Sequence, residues 1–146
     1  MRVYRYLAIA LLSACTLLAG GRVDPVAAKA PRYDFSIRPF QGGNTDWSIR
    51  LVRVAPGQVV YTLHFPRRAS ASDGLLRSVE PSIDEPPLKG RYGLASDDGI
   101  SPAMKVMIAP SATGTPCQDN EGTRYPHAVL VFIDGHPLYG CGDYDD

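Results

Sequence analysis

The sequence predicts an all-β fold, a small antiparallel β-barrel or sandwich of about seven short strands with low helix content. The chain of 146 residues contains 14 glycines and 13 prolines, a composition that favours turns over long helices. Several short segments alternate apolar and polar side chains with a period of two, as half-buried strands do. No heptad, internal repeat or amphipathic helix of useful length interrupts this pattern. A closed barrel is expected first, because closure removes exposed strand edges.

Residues 1–14 are typical of a bacterial export leader. Two arginines precede the apolar segment 7–14, which is too short to span a bilayer. The Leu-Ser-Ala-Cys motif at 12–15 resembles the lipobox that lipoprotein signal peptidase recognises. We therefore expect cleavage before Cys15 and lipidation of its thiol, with two or more acyl chains anchoring the protein to the membrane. Thr16 replaces the aspartate that retains lipoproteins in the inner membrane of enteric bacteria, so the outer membrane, facing the periplasm, is the expected location.

Two other interpretations of this segment stay open. Ordinary signal peptidase would cleave at the small-residue site 26–28 and release a soluble periplasmic or secreted protein. An uncleaved membrane anchor conflicts with the glycines at 20–21, which end the apolar run early. With cleavage before the cysteine, residues 15–32 form a flexible tether of glycine, proline, alanine and charged residues. Residues 33–146 then form a single β domain.

The first half of this domain contains the clearest strand pattern. Residues 33–40 are a candidate opening strand. Residues 46–65 predict a β-hairpin, because two alternating segments flank the turn residues 55–57. The apolar face of this hairpin comprises Trp47, Ile49, Leu51, Val59, Tyr61, Leu63 and Phe65.

Residues 66–100 are the least regular part of the sequence. A polar loop is expected from residue 66 to residue 74, and a short helix or turn over 74–79. Three prolines within 80–90 exclude a central strand there.

The last third predicts two strands and a tight hairpin. Residues 103–110 alternate, and residues 126–133 are apolar on both faces and therefore expected at the centre of the sheet. The dipeptide Asp-Gly at 134–135 is the preferred pair for a type I′ turn. Pro137 places the returning strand at an edge, and the acidic residues at 143–146 predict a frayed tail.

The three cysteines are accounted for by one lipid and one disulfide. With Cys15 lipidated, Cys117 and Cys141 remain as an even pair in an oxidising compartment. The alternatives are two buried free thiols, or a metal site, for which ligand spacing is lacking. A bridge would enclose the predicted strand 126–133 and its hairpin partner, and we expect it to hold the carboxy-terminal strand in place.

The segment CQDNEGTRYPHAVLVFIDGHPLYGCG, at 117–142, resembles the signature of a family of small bacterial envelope proteins, many of them lipoproteins. GGNTDWSI, at 42–49, is similar to the Gly-Asn-Glu-Pro-Phe-Trp stretch with which that family begins. The likeness spans about residues 35–142 and implies a location in the envelope, without implying an activity. Two family motifs are altered, Met-Ser to Glu-Gly at 121–122 and Glu-Pro-Phe to Thr-Asp at 45–46. The matching positions are Gly43, Asn44, Trp47, Cys117, Asp119, Tyr125, Pro126, Gly135, Gly140 and Cys141.

Trp47, Asp119 and Tyr125 are the candidate binding residues. Each also has a structural interpretation that the residue type favours. Trp47 would plug the end of a barrel core, and Asp119 would accept backbone N–H bonds within a turn. Tyr125 would pack over the disulfide, with the following proline directing the chain into its strand.

No catalytic residue, metal site or cofactor is predicted. His64, His127 and His136 lie on different segments without a carboxylate partner in sequence. Neither G-x-S-x-G, a P-loop nor H-E-x-x-H occurs. With all three cysteines assigned, no thiol remains as a nucleophile. An enzyme is therefore not expected.

The charge balance excludes a nucleic-acid-binding surface. Removal of Arg2 and Arg5 with the leader leaves 13 basic residues against 15 acidic ones, without a basic stripe. We expect a non-catalytic binding or assembly module of the envelope, anchored to the membrane by lipid, whose partner is another envelope protein or a small apolar or polysaccharide ligand. The alternative is a periplasmic inhibitor of a lysozyme-type enzyme. A barrel filled with side chains would favour binding at the surface. An open apolar cavity would favour a ligand carrier. Aspartate and histidine groups that converge at one place would favour an enzyme.

Overall fold

The computed structural model describes residues 34–80, 92–112 and 114–146. Eight antiparallel strands form a closed barrel in the order β1-β10-β9-β6-β5-β4-β3-β2, and β7 and β8 form a separate two-stranded sheet. The predicted small β-barrel is therefore confirmed. The strands are β1 Phe40–Gly43, β2 Ser48–Ala55, β3 Gln58–Phe65, β4 Ser70–Val79, β5 Tyr92–Ala95, β6 Met104–Pro110, β7 Cys117–Gln118, β8 Arg124–Tyr125, β9 His127–Ile133 and β10 His136–Tyr144.

Inward-facing side chains fill the interior of the barrel. Alternate residues of β2 and β3 are buried, as the period of two predicts. The same alternation continues through β6 and β9. The barrel is thus a packed core of the kind that small closed barrels have. Its largest fully buried side chains are Trp47, Phe35, Phe40, Ile49, Leu51, Leu63, Leu76, Leu94, Ile108, Val59, Val106 and Val129.

Aromatic rings close one end of this core. Phe40 packs edge-to-face on Tyr144 at 5.1 Å between ring centroids, and Phe35 packs similarly on Tyr92 at 5.4 Å. The Phe40 ring occupies the space over a glycine of β10, since a Cβ atom on Gly142 would lie 2.6 Å from Phe40 Cζ. Glycine is required there because any larger residue would displace the ring.

The predicted hairpins are confirmed. β2 and β3 pair along their length and are joined by a turn in which Gly57 has φ of 72°. β9 lies between β6 and β10, as its apolar character on both faces predicted. The turn after β9 has positive φ at both central residues, 49° at Asp134 and 82° at Gly135, as a type I′ turn requires.

Two predictions for the first half of the domain are wrong. Residues 34–39 are not a strand, although Phe35 is a buried core residue. Residues 70–79, expected as a polar loop and then a short helix or turn, are the ten-residue strand β4. This polar segment forms a strand because it pairs with β3 along residues 70–77. The side chain of Leu76 fills the core, and the Tyr61 ring packs over Gly74.

Two predictions for the carboxyl end are also wrong. β10 is not an edge strand, because it pairs with β9 along one side and with β1 at residues 141–144. Pro137 follows the first hydrogen-bonded pair of the hairpin, His136 with Ile133, so its nitrogen points away from β9 and the described pairing with β1 begins only at residue 141; the missing N–H therefore breaks no described ladder. The acidic tail is fastened: the Asp145 N–H donates to Pro39 O at 2.8 Å, and the Asp145 carboxylate pairs with Arg50 at 2.9 Å.

The expected leader, the lipidation of Cys15 and the tether lie outside the described residues, as does most of the proline-rich segment at 80–90. Within the described ranges, no helix has the length and apolar character needed to cross a membrane.

Candidate functional site

A cleft of about 460 Å³ lies on the outside of the barrel, beside the disulfide. Its floor is the outer face of β1 and β10, and its walls are the turn after β1 and the β7–β8 sheet. The cleft brings together all three candidate binding residues of the sequence analysis, Trp47, Asp119 and Tyr125. The described residues that line it are Gln41, Gly42, Gly43, Asn44, Thr45, Trp47, Ser48, Asp119, Glu121, Tyr125, Cys141, Asp143, Tyr144 and Asp145.

The disulfide between Cys117 and Cys141 is present and attaches the β7–β8 sheet to the barrel. It joins residues 24 positions apart whose Cα atoms are 5.5 Å apart. Among the described residues from 112 to 126, none is buried, so the disulfide is a covalent cross-link that ties a surface segment to β10. Beside it, Gly140 lets β1 approach closely, since a Cβ atom there would lie 2.4 Å from Gly43 O.

Asp119 organises the turn between β7 and β8. Its Oδ1 accepts the backbone N–H groups of Glu121, at 2.9 Å, and Thr123, at 2.8 Å. Its Oδ2 accepts the Tyr125 hydroxyl at 3.2 Å. Partial burial of the phenol and the neighbouring Asp119 carboxylate raise the pKa of Tyr125. The expected turn role of Asp119 is therefore observed, and it leaves the turn rigid at the mouth of the cleft.

Trp47 and Asn44 fix the opposite wall. Only 2% of Trp47 is exposed, so the indole belongs to the core and offers no stacking face to a ligand. The Trp47 carbonyl accepts the Asn44 N–H at 2.8 Å. The Asn44 side chain accepts from the Asp46 N–H at 2.8 Å and donates to Tyr139 O at 2.8 Å. Asn44 thereby holds the turn after β1 against β10.

The cleft is acidic. Four carboxylates line it, and no lysine, arginine or histidine is among its described lining residues. Glu121 is exposed at the rim. The Asp145 carboxylate pairs with Arg50 from outside the lining, and Asp143 lies 3.4 Å from His127 Nδ1. The part that Asp143 and Asp145 play in this cleft was not predicted, because acidic residues at a chain end are typical of a frayed tail.

The histidine and the carboxylate beside the cleft do not form a recognisable catalytic arrangement. His127 is stacked edge-on against Tyr144, at 4.9 Å between centroids, and against Phe40, at 6.2 Å. His64 and His136 are exposed on other strands. In the described parts of the chain, no group of three or more histidine, cysteine, aspartate or glutamate residues has an arrangement that could hold a metal ion.

A second groove, of about 580 Å³, lies on the outer face of β5 and β6. Its lining includes the apolar side chains of Val79, Ile100, Met107 and Phe132 together with the acids Asp97 and Asp98.

Comparisons of the chain with protein-family models, with curated proteins and with solved structures found no match. The resemblance of residues 35–142 to small envelope proteins therefore stays a prediction.

Proposed function

We propose that this protein is a non-catalytic binding module of the bacterial cell envelope, anchored by lipid at Cys15, that binds a positively charged group of a partner protein in the acidic cleft. One observation carries the proposal: four carboxylates line a cleft whose described lining contains no basic side chain. Charge complementarity of this kind sets partner choice and increases the rate of association.

The packed interior supports binding at the surface. The core is filled by large apolar side chains, so a ligand is accommodated outside the barrel. A volume of about 460 Å³ suits one or two side chains of a partner, and a lysine or arginine head group would find several oxygen acceptors there.

Rigid walls add to the affinity of such a site. The disulfide and the Asp119 hydrogen bonds hold one wall, and Asn44 holds the other. A site that is ordered before binding loses little conformational entropy when the partner arrives.

The envelope location rests on the sequence. The arginines before a short apolar run and the lipobox-like motif at 12–15 support export and lipidation. The Cys117–Cys141 disulfide suits an oxidising compartment such as the periplasm. The partner we expect is another envelope protein.

A second candidate function is inhibition of a lysozyme-type enzyme. The observation that favours it is the exposed turn 119–123, which presents the Glu121 carboxylate on a segment held by the disulfide and by Asp119. A preorganised acidic turn could enter the substrate cleft of a basic enzyme.

Site-specific photo-crosslinking in cells tests the proposal. A photoreactive amino acid at Thr45, in the cleft lining, should crosslink to one envelope partner, whereas the same residue at Val54, exposed near the end of β2, should not. Glu121→Lys should weaken the crosslink from position 45. Asp98→Lys, which reverses an exposed acid outside the cleft, is the matched control.

Equal crosslinking from both positions, or equal effects of the two charge reversals, would refute the cleft as the binding site. A partner identified as a lysozyme-type enzyme, together with inhibition of that purified enzyme that Glu121→Lys abolishes, would favour the second candidate.

A further inference from the structure

Among the described residues, one stretch of β4 has no neighbouring strand on its second side. β4 pairs with β3 from Ser70 to Arg77, but with β5 only at residues 77–79. β5 ends at Ala95, where the chain turns away and the Ser96 N–H donates to Met104 O at 2.9 Å. The barrel is closed by a short ladder, and residues 70–76 of β4 form an open edge beside it.

The pairing with β3 determines which backbone groups face this open edge. The Ser78 N–H donates to Gly57 O at 3.0 Å, so the even-numbered residues of β4 direct their backbone groups toward β3. In an antiparallel ladder the alternate residues direct theirs to the other side. The backbone N–H and C=O groups of Ala71, Asp73 and Leu75 therefore point away from β3, toward the open edge. All three are exposed, and the described residues provide them with no backbone partner.

A row of unpaired N–H and C=O groups with strand spacing is recognised by another extended backbone. A second copy of this chain is a poor match. Antiparallel pairing of two β4 edges about a two-fold axis at Asp73 would place two carboxylates directly opposite each other, which is destabilising. Asp73 thus disfavours self-pairing in this centred register.

The charges around the open edge indicate which side chains a partner strand other than a second copy would carry. A strand added to β4 would lie in line with β5. Its amino-terminal end would lie near the loop where Asp97 and Asp98 are exposed. Arg77 is already paired with Asp97. Asp73 has no ion-pair partner among the described residues. A basic side chain opposite Asp73 would supply that partner.

We propose that the open edge of β4 accepts an extended segment of a partner protein as an added antiparallel strand, with a lysine or arginine opposite Asp73. This surface lies on β4, separated from the β1–β10 cleft by β2 and β3 in the barrel order. It is independent of the proposed function of the cleft.

The test uses a synthetic heptapeptide, acetyl-Thr-Val-Thr-Lys-Thr-Val-Thr-amide, and the folded protein observed by amide NMR. In the proposed register the lysine faces Asp73 and the valines face Ala71 and Leu75. The amide resonances of these three residues should shift most. Methylation of the lysine backbone nitrogen, which faces β4, should abolish binding. Methylation of the next threonine nitrogen, which faces away, should leave binding largely intact.

A charge exchange tests the pairing at Asp73. The heptapeptide with glutamate in place of lysine should bind about tenfold more weakly, and Asp73→Lys should reverse this preference. The side chain of Asp73 is exposed, so the variant should keep its remaining amide spectrum. Glu121→Lys in the cleft should leave peptide binding unchanged, which separates this proposal from the proposed function.

Three results would overturn the proposal. The first is the absence of amide shifts on β4 at millimolar peptide. The second is equal binding of the two N-methylated peptides. The third is a set of concentration-dependent shifts on β4 without peptide, which would show that a second copy of the chain occupies the edge.

Discussion

Removal of the disulfide should release the β7–β8 sheet while the barrel stays folded. Cys117 and Cys141 are 24 positions apart, and closing a loop of this length contributes about 3.5 kcal/mol in the chain-entropy treatment. That is a substantial share of a typical stability of about 5–15 kcal/mol. The double variant Cys117→Ala/Cys141→Ala should therefore unfold at lower denaturant concentration but retain a cooperative transition.

The local effect follows from the burial pattern. No described residue from 112 to 126 is buried, whereas β9 contributes Val129 and Val131 to the interior and β10 pairs with both β9 and β1. The segment 112–126 keeps a few hydrogen bonds without the bridge, such as the Cys117 N–H to Ser111 Oγ at 2.9 Å. Bonds of this kind each contribute about 1 kcal/mol, too little to hold the segment in place.

Hydrogen exchange measured by mass spectrometry checks the prediction. Segment 112–126 should lose protection in the double variant, and β2, β3 and β10 should retain theirs under native conditions. Trp47→Ala is the control, because it lowers global stability while leaving the bridge intact. Equal loss of protection in β10 and in segment 112–126 would show that the bridge holds the terminal strand instead. Unchanged protection of 112–126 would refute the reasoning altogether.

Three further predictions concern the core, the anchor and a buried phenol. Trp47→Ala should cost about 3–5 kcal/mol in a denaturant titration, because it removes a buried aromatic; a variant as stable as the wild type would contradict its core role. Cys15→Ser should abolish labelling by an alkyne-tagged palmitate analogue and leave an uncleaved precursor; persistent labelling would favour ordinary signal peptidase. Burial raises the pKa of Tyr144, whose hydroxyl is buried without a hydrogen-bond partner among the described residues. The unfolded chain therefore loses this proton at lower pH than the folded protein, and the free energy of unfolding should fall as pH rises above about 10. Tyr144→Phe should weaken this fall, as urea titrations at neutral and alkaline pH can show; the same fall in both proteins would refute the assignment.

The type of fold and most of its core could be predicted from the residues alone. Alternation in 46–65 and 103–110 identified strands and their buried faces, because a strand buries every second residue whatever its neighbours are. The Asp-Gly pair at 134–135 identified a turn, since both positions adopt positive φ. The even pair of cysteines identified the disulfide. These features depend on local chemistry, which a sequence displays directly.

Formation of strand β4 and ordering of the carboxyl terminus depend on tertiary contacts. The polar residues at 70–75 form a strand because β3 provides the backbone partners and Tyr61 covers Gly74, neither of which a local pattern reveals. The terminal aspartates are ordered because Arg38 and Arg50, about a hundred positions away in sequence, reach them across β1. Local composition alone predicts solvation and fraying for both segments.

The candidate functional site, too, could be predicted only in part from the sequence. The sequence identified Asp119, Tyr125 and the cysteines individually, from turn chemistry and from the resemblance to envelope proteins. Barrel closure decided that they face Asp143 and Asp145 across one cleft, because it places β1 beside β10 at the two ends of the domain. The open edge of β4 likewise exists only because β5 is shorter than its neighbour. Contacts between residues far apart in sequence depend on strand order and register, and neither is encoded in any single segment.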